Sequence, residues 1–277
     1  MLISTAFPGT YLKAQDLQGH TATVTIESCR MENLGDEDKP VLHGISFEAD
    51  PGSVVALVGS SGSGKSTTLD AMLDHINTHR SLNVISLEDP IEFVHESKQS
   101  QIVQREYGTH FHAFADAVRA AMRQDPDVIL VGEMRDTETI RMAMTAAETG
   151  HLVLGTLHTT SAVKTLDRVI DALPALERGQ AKTFLSQSLN AVVTQVLVKS
   201  ADGRARRAIF EIMVHNKAIS KLIMSDQVHM IPSQLQTGRA QGMQLLDQSL
   251  LDSINAREID PDDAYRFAVD KKKFVRF

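Results

Sequence analysis

A chain of 277 residues, 42% apolar and 23% charged, is long enough for one large α/β domain with or without a small appendage, and its composition is that of a globular protein. The formal charge of −7 gives no global argument for a nucleic-acid surface, so no nucleic acid is expected as a partner although a local basic patch stays open, and Lys271–Lys273 reads as a solvated basic tail. The single cysteine, Cys29, excludes an internal disulfide. With no membrane-length apolar run and no basic-then-apolar N-terminus, the expected location is cytoplasmic.

The first 40 residues carry few signals. Thr21–Glu27 has the β-branched alternation of a strand, and Asn33–Pro40 reads as a charged turn or linker. So short a segment cannot bury a core by itself. From Val41 the pattern becomes α/β. Val54–Val58 is a short apolar strand. Gly59-Ser-Ser-Gly-Ser-Gly-Lys-Ser66 then matches G-x-x-x-x-G-K-[ST], and Leu69, Met72, Leu73 and Ile76 mark one face of the helix that follows. In that setting Gly59, Ser60, Ser61, Gly62, Ser63, Gly64, Lys65, Ser66 and Thr67 form a cradle for the phosphates of a nucleoside triphosphate. The backbone N–H groups and the helix N-terminus face the anion, Lys65 neutralises it, and the Ser66 hydroxyl is the expected ligand of Mg²⁺.

Further along, Leu82–Leu87 is a predicted strand that runs into Glu88-Asp89-Pro90, and Phe114–Met122 has helical spacing. Val128–Val131 is a buried strand ending at Gly132-Glu133. Asp136 or Thr137 can cap the next helix, which Gly150 closes, and His151–Leu157 is a strand ending at His158. Alternation of this kind predicts a mainly parallel sheet, whose ligands bind at the carboxyl ends of the strands. The phosphate loop, Glu88, Asp89, Glu133 and His158 all fall at that end. Beyond Ser161 the expectation is helix over roughly 161–171, 174–199, 216–224 and 242–256, interrupted by a strand at Arg207–Met213.

Hydrolysis of a nucleoside triphosphate needs a metal, a cradle and a group that orients or deprotonates water. Glu133 is the natural candidate for that group, and a helix-capping carboxylate is the alternative. Glu88 and Asp89 can act on the metal or the water, or simply form a turn before Pro90. His158 can sense the terminal phosphate or be a hydrogen-bonded structural residue. Arg119, Arg123, Arg135, Arg141 and Arg168 are candidates for charge neutralisation, although most arginines in such a chain are surface ion pairs.

From Thr67 to Phe277 the chain resembles the PilT-type retraction ATPases of bacterial type IV pili, within the secretion ATPases. Three stretches carry the resemblance: Leu87–His95, similar to an Asp box; Arg123–Asp136, similar to an atypical Walker B; and Thr145–His158, similar to a His box. The resemblance implies a RecA-like P-loop ATPase core, a homo-hexamer, and ATP hydrolysis coupled to pulling pilin back at the inner membrane. It also implies inner-membrane platform proteins as partners and a peripheral position at that membrane. Glu133 becomes the catalytic glutamate, Glu88 and Asp89 the Asp-box acids, His158 the His-box residue, and Arg168 the arginine expected near the nucleotide. Ala218–Ile223 resembles a short helix needed for pulling, with Ser220 and Lys221 where some members have arginine and asparagine.

Upstream the resemblance changes. Val41–Phe47 and Pro51–Gly59 look like the lead-in to the phosphate loop of an ABC transporter ATPase, and Ser60-Ser61 stands where the pilus family usually has Pro-Thr. No L-S-G-G-Q signature follows. The family's PAS-like N-terminal domain is absent from this reading, which suggests a mosaic joined inside the phosphate loop. The expected organisation is an unplaced segment at 1–40, a RecA-like core at 41–213 and a helical C-terminal region at 214–277. A pilus-extension or type II secretion ATPase shares such a core, but the zinc-type cysteine pairs of many extension ATPases do not occur. The remaining alternative is a nucleotide-binding module without turnover.

Overall fold

The computed structural model describes residues 22–33, 38–49 and 52–275. Most of the unplaced N-terminal segment, residues 1–21 and 34–37, therefore lies outside the described residues, as does the middle of the turn expected at Asn33–Pro40. β1 (Ala22–Asn33) pairs antiparallel with β2 (Asp38–Ala49) as a separate two-stranded ribbon that straddles position 40.

The rest is built around a seven-stranded sheet. Its strands in chain order are β3 (Val54–Val58), β4 (Asn83–Glu88), β5 (Gln101–Glu106), β6 (Val128–Val131), β7 (Leu152–Leu157), β8 (Leu189–Lys199) and β9 (Arg206–Val214). Across the sheet the order is β5-β4-β6-β7-β3-β8-β9, and every neighbouring pair is parallel except β8 with β9. Period-two alternation divides the core. Val55 and Leu57 face Leu69, Met72, Leu73 and Ile76 of α1 (Lys65–His79). Val54, Ala56 and Val58 face the opposite layer. That layer contains α2 (Phe114–Ala121), α3 (Thr137–Glu148), α4 (Ala162–Asp171), α5 (Arg178–Ser188) and α6 (Lys217–Met224). Full burial of one such leucine or isoleucine is worth about 1.5–3 kcal/mol, so the two layers hold the sheet firmly on both faces. α7 (Ile231–Thr237), α8 (Leu246–Asn255) and α9 (Pro261–Phe267) follow, and α8 and α9 close a third cluster over Val198 and Ile209.

Two departures from the sequence reading matter. The helix expected over 174–199 stops at Ser188, and Leu189–Lys199 is β8. Val192, Val193, Thr194 and Val198 explain the change, because β-branched side chains buried on both faces favour a pleated strand. β5 gave no sequence signal, since only Ile102 and Val103 of Gln101–Glu106 are apolar and the strand forms the half-buried edge of the sheet. The last long helix also begins later than expected, at Leu246. Among the described residues no helix is long and apolar enough to cross a membrane.

Candidate nucleotide site

α1 begins directly from β3 through the Gly59–Ser66 loop. Its N-cap residue, Gly64, is left-handed (φ 79°) and no side chain caps the helix, so the first N–H groups of α1 remain for an anion. A Cβ at Gly64 would lie 2.9 Å from Gln195 Nε2, which together with the positive φ leaves only glycine at this turn. Lys65 Nζ donates to the carbonyls of Gly59 (2.7 Å) and Ser60 (3.2 Å). Burial holds the Lys65 pKa below the usual lysine range, opposed by the charges of Glu133 and Glu92.

The loop floors a cleft of about 370 Å³ lined by Ser61 to Thr67, Asp70, Glu88, Asp89, Glu133, Arg135, Thr156 and His158, among others. The sheet order explains the convergence. β7 lies between the phosphate-loop strand β3 and the Glu133-bearing strand β6. At one strand spacing of about 4.8 Å, the carboxylate of Glu133 therefore starts about 10 Å across the sheet from the loop. That gap suits a terminal phosphate plus a water molecule.

Glu133 is buried, and its Oε1 takes both His158 Nε2, at 2.6 Å, and the Nε of Arg135. Burial here favours these contacts because an unpartnered carboxylate would be costly to desolvate. The capping alternative for Glu133 falls to Asp136, whose carboxylate accepts from Thr139 N at 2.8 Å and Thr139 Oγ1 at 2.6 Å. These bonds keep the Asp136 pKa low against the opposing effect of burial, the largest single influence on it. Thr156 Oγ1 donates to Gly132 O at 2.5 Å, and Gly132 N donates to Leu87 O at 2.7 Å. A Cβ at Gly132 would come 2.7 Å from Leu87 O and 3.1 Å from Glu88 Cα, so β6 and β4 close on each other only because this residue has none. Glu88 is buried and accepts on Oε1 from Ser86 Oγ (2.6 Å) and Gln104 Nε2 (3.0 Å), whereas Asp89 is exposed at the Pro90 turn.

Of the five candidate arginines, only Arg135 lines the cleft. Arg119 pairs with Asp116 and Glu138, and Arg141 with Glu138 and Glu177. Arg123 is exposed, and Arg168 lies on the exposed face of α4 away from the cleft lining.

The sequence reading passed over Gln195, which is buried on β8 and accepts from Thr68 Oγ1 at 2.6 Å beneath the loop. It also passed over Asp70. This carboxyl is buried beside His95 (3.4 Å), and desolvation pushes its pKa up to about 6 despite that hydrogen bond. A polar residue on the inward face of each element was the available signal. The cleft fits a phosphate chain and its cation: an uncapped helix start, a buried lysine and the Ser63 hydroxyl, buried without a partner, supply donors. Among the described residues no three His, Cys, Asp or Glu are grouped as a metal site. A divalent cation would therefore take most of its ligands from phosphate and water, as Mg²⁺ does.

A parallel sheet with helices on both faces, a G-x-x-x-x-G-K-[ST] turn before α1, and a buried glutamate two strands away define a RecA-like P-loop nucleotide-binding core. The chain belongs to the type II/IV secretion system protein family, which matches residues 22–259. That range includes 41–66, the stretch with the ABC-like resemblance. A twitching motility protein of Neisseria gonorrhoeae is 52% identical over 79% of this chain and 58% of its own length. The type IV pilus retraction ATPase PilT of Pseudomonas aeruginosa is 54% identical over 72% of this chain and 58% of its own. This chain thus spans somewhat under three fifths of these curated relatives. A crystal structure of the pilus retraction motor PilT with bound ADP superposes with a TM-score of 0.75, at 32% identity, over 95% of this chain and 82% of that one.

Proposed function

We propose that the chain is the ATP-hydrolysing core of a type IV pilus retraction motor. The observation that carries this reading is the Glu133–His158 pair, held at 2.6 Å across from the phosphate loop. In this reading Lys65 leaves its own loop carbonyls for the β- and γ-phosphates, and the N–H groups at the start of α1 hold the phosphate chain. Ser66 would hold Mg²⁺, with Glu88 and Asp89 reaching it through water. The cation supplies neutralisation of the charge that develops on the phosphoryl oxygens. Glu133 orients the attacking water and receives its proton. His158 fixes the carboxylate, and Arg135 must release it before it can act. Arg168, exposed on α4, serves a neighbouring subunit's nucleotide within a homo-hexamer, and inner-membrane platform proteins of the pilus receive the force.

Phosphate release and nucleotide binding, measured side by side, test the assignment. Glu133→Gln should bind ATP as the wild type does and lose about 10²–10⁴-fold in turnover, while Lys65→Ala should lose binding itself. Release that persists in Glu133→Gln would overturn the hydrolytic role. Binding with no release in the wild type would leave a nucleotide-binding module.

A further inference from the structure

β5 ends in the polar side chains Gln104-Arg105-Glu106, which no part of the proposed hydrolysis uses. We propose that Gln104 is a positioning residue for the nucleotide's cation, its one carboxamide holding both Glu88 and the loop that brings Asp89 and Glu92 to the cleft. The strand register prepares this. Ser86 pairs with Gln104, and Glu88 with Glu106, across the parallel β4–β5 ladder, so these side chains share one face at the carboxyl end of the sheet. Gln104 Nε2 donates to Glu88 Oε1 at 3.0 Å and to Phe93 O at 2.8 Å, and Gln104 Oε1 accepts from His95 N at 2.8 Å. The partners fix which way the amide points. Glu88 and Phe93 offer acceptors and His95 a donor, so a flipped amide would lose every one of these bonds.

Glu88 lines the cleft, and Ser86 Oγ donates to the same Oε1 at 2.6 Å. Two donors on one oxygen set the rotation of the carboxylate and leave Oε2 without a hydrogen bond among the described residues, ready for a cation or its water. The loop is tied at two more places. Ile91 N donates to Glu106 Oε2 at 3.1 Å, and the His95 ring meets Asp70 Oδ1 of α1 at 3.4 Å. Gln104 differs from these ties because it touches the loop and Glu88 at once. Between the ties, Asp89 and Glu92 are exposed and line the cleft. Loss of the carboxamide would strand Phe93 O and His95 N and take from Glu88 one of its two donors. Carboxylates that serve a metal depend on such outer hydrogen bonds for their direction, and removing one typically costs about 10–100-fold in metal affinity.

The inference rests on the cleft holding a nucleotide with a divalent cation, and electron paramagnetic resonance of Mn²⁺, standing in for Mg²⁺, separates the two. The full chain is kept in excess over a non-hydrolysable ATP analogue while Mn²⁺ is added. Wild type should bind the ion, and Gln104→Met should bind it at least about tenfold more weakly. Analogue affinity measured in EDTA should agree within about threefold between the two proteins, while amide exchange at 91–95 quickens in the variant. A side chain that only steadies the loop would quicken that exchange and leave Mn²⁺ affinity as in wild type, which overturns the proposal. Equal Mn²⁺ affinity with unchanged exchange overturns it as well. If wild type binds neither the analogue nor Mn²⁺ with it, the reading of the cleft falls and the positioning role with it. Should Gln104→Met fail to fold, Gln104→Asn is judged by the same criteria, since its amide is one methylene short of reaching Glu88 and the loop together.

Discussion

Asp70 shows how a single side chain in the cleft carries a stability cost that depends on pH. Its pKa is raised to about 6 by desolvation, offset in part by His95, with Glu88 and Glu92 adding to the rise. A carboxyl with a raised folded pKa contributes no penalty below its unfolded value and progressively destabilises the fold as pH climbs through about 6. Asp70→Asn keeps an acceptor for His95 and removes the charge. Denaturant unfolding should find it no more stable than wild type near pH 4 and more stable at pH 8, by an amount on the order of 2–3 kcal/mol. An advantage that is equal at both pH values would show that Asp70 is not the titrating group. At this scale the loop, Glu133 and His158 were legible because each ends a strand in a fixed motif. Asp70 and Gln195 were not, because one polar residue on an apolar face does not reveal what it meets across the fold.

At the scale of elements, short caps and short strands set the positions of these residues. Asp136 caps α3 through Thr139 three residues after Glu133. Asp136→Ala should therefore cost about 1 kcal/mol of stability and lower Tm by a few degrees, measured by calorimetry. A Tm equal to wild type would show that the cap carries no net stability. The sequence located β3, β4, β6 and β7 well, since each is a compact apolar run bounded by polar residues. β8 was read as helix because an apolar run preceded by a true helix, α5, has no clear break. Its β-branched residues were the available correction. β5 escaped because only Ile102 and Val103, one toward each face, are apolar in this half-buried edge strand, too few for a periodic signal.

At the scale of the whole molecule, the fold leaves Arg168 facing outward on α4, and the proposed function therefore requires neighbours. Size-exclusion with light scattering should give a particle about six times the 30.4 kDa chain when ATP and Mg²⁺ are present, and Arg168→Ala should reduce turnover without reducing nucleotide binding. A monomer that turns over at the same rate with and without Arg168 would remove the need for assembly. The close seating of Gly132 on Leu87 and Glu88 has one more effect on such a machine. Glu88 and Glu133 ride on a single rigid block, so any change that retunes turnover by moving one carboxylate drags the other along. On the proposed roles of these two carboxylates, water activation and cation binding shift together rather than separately.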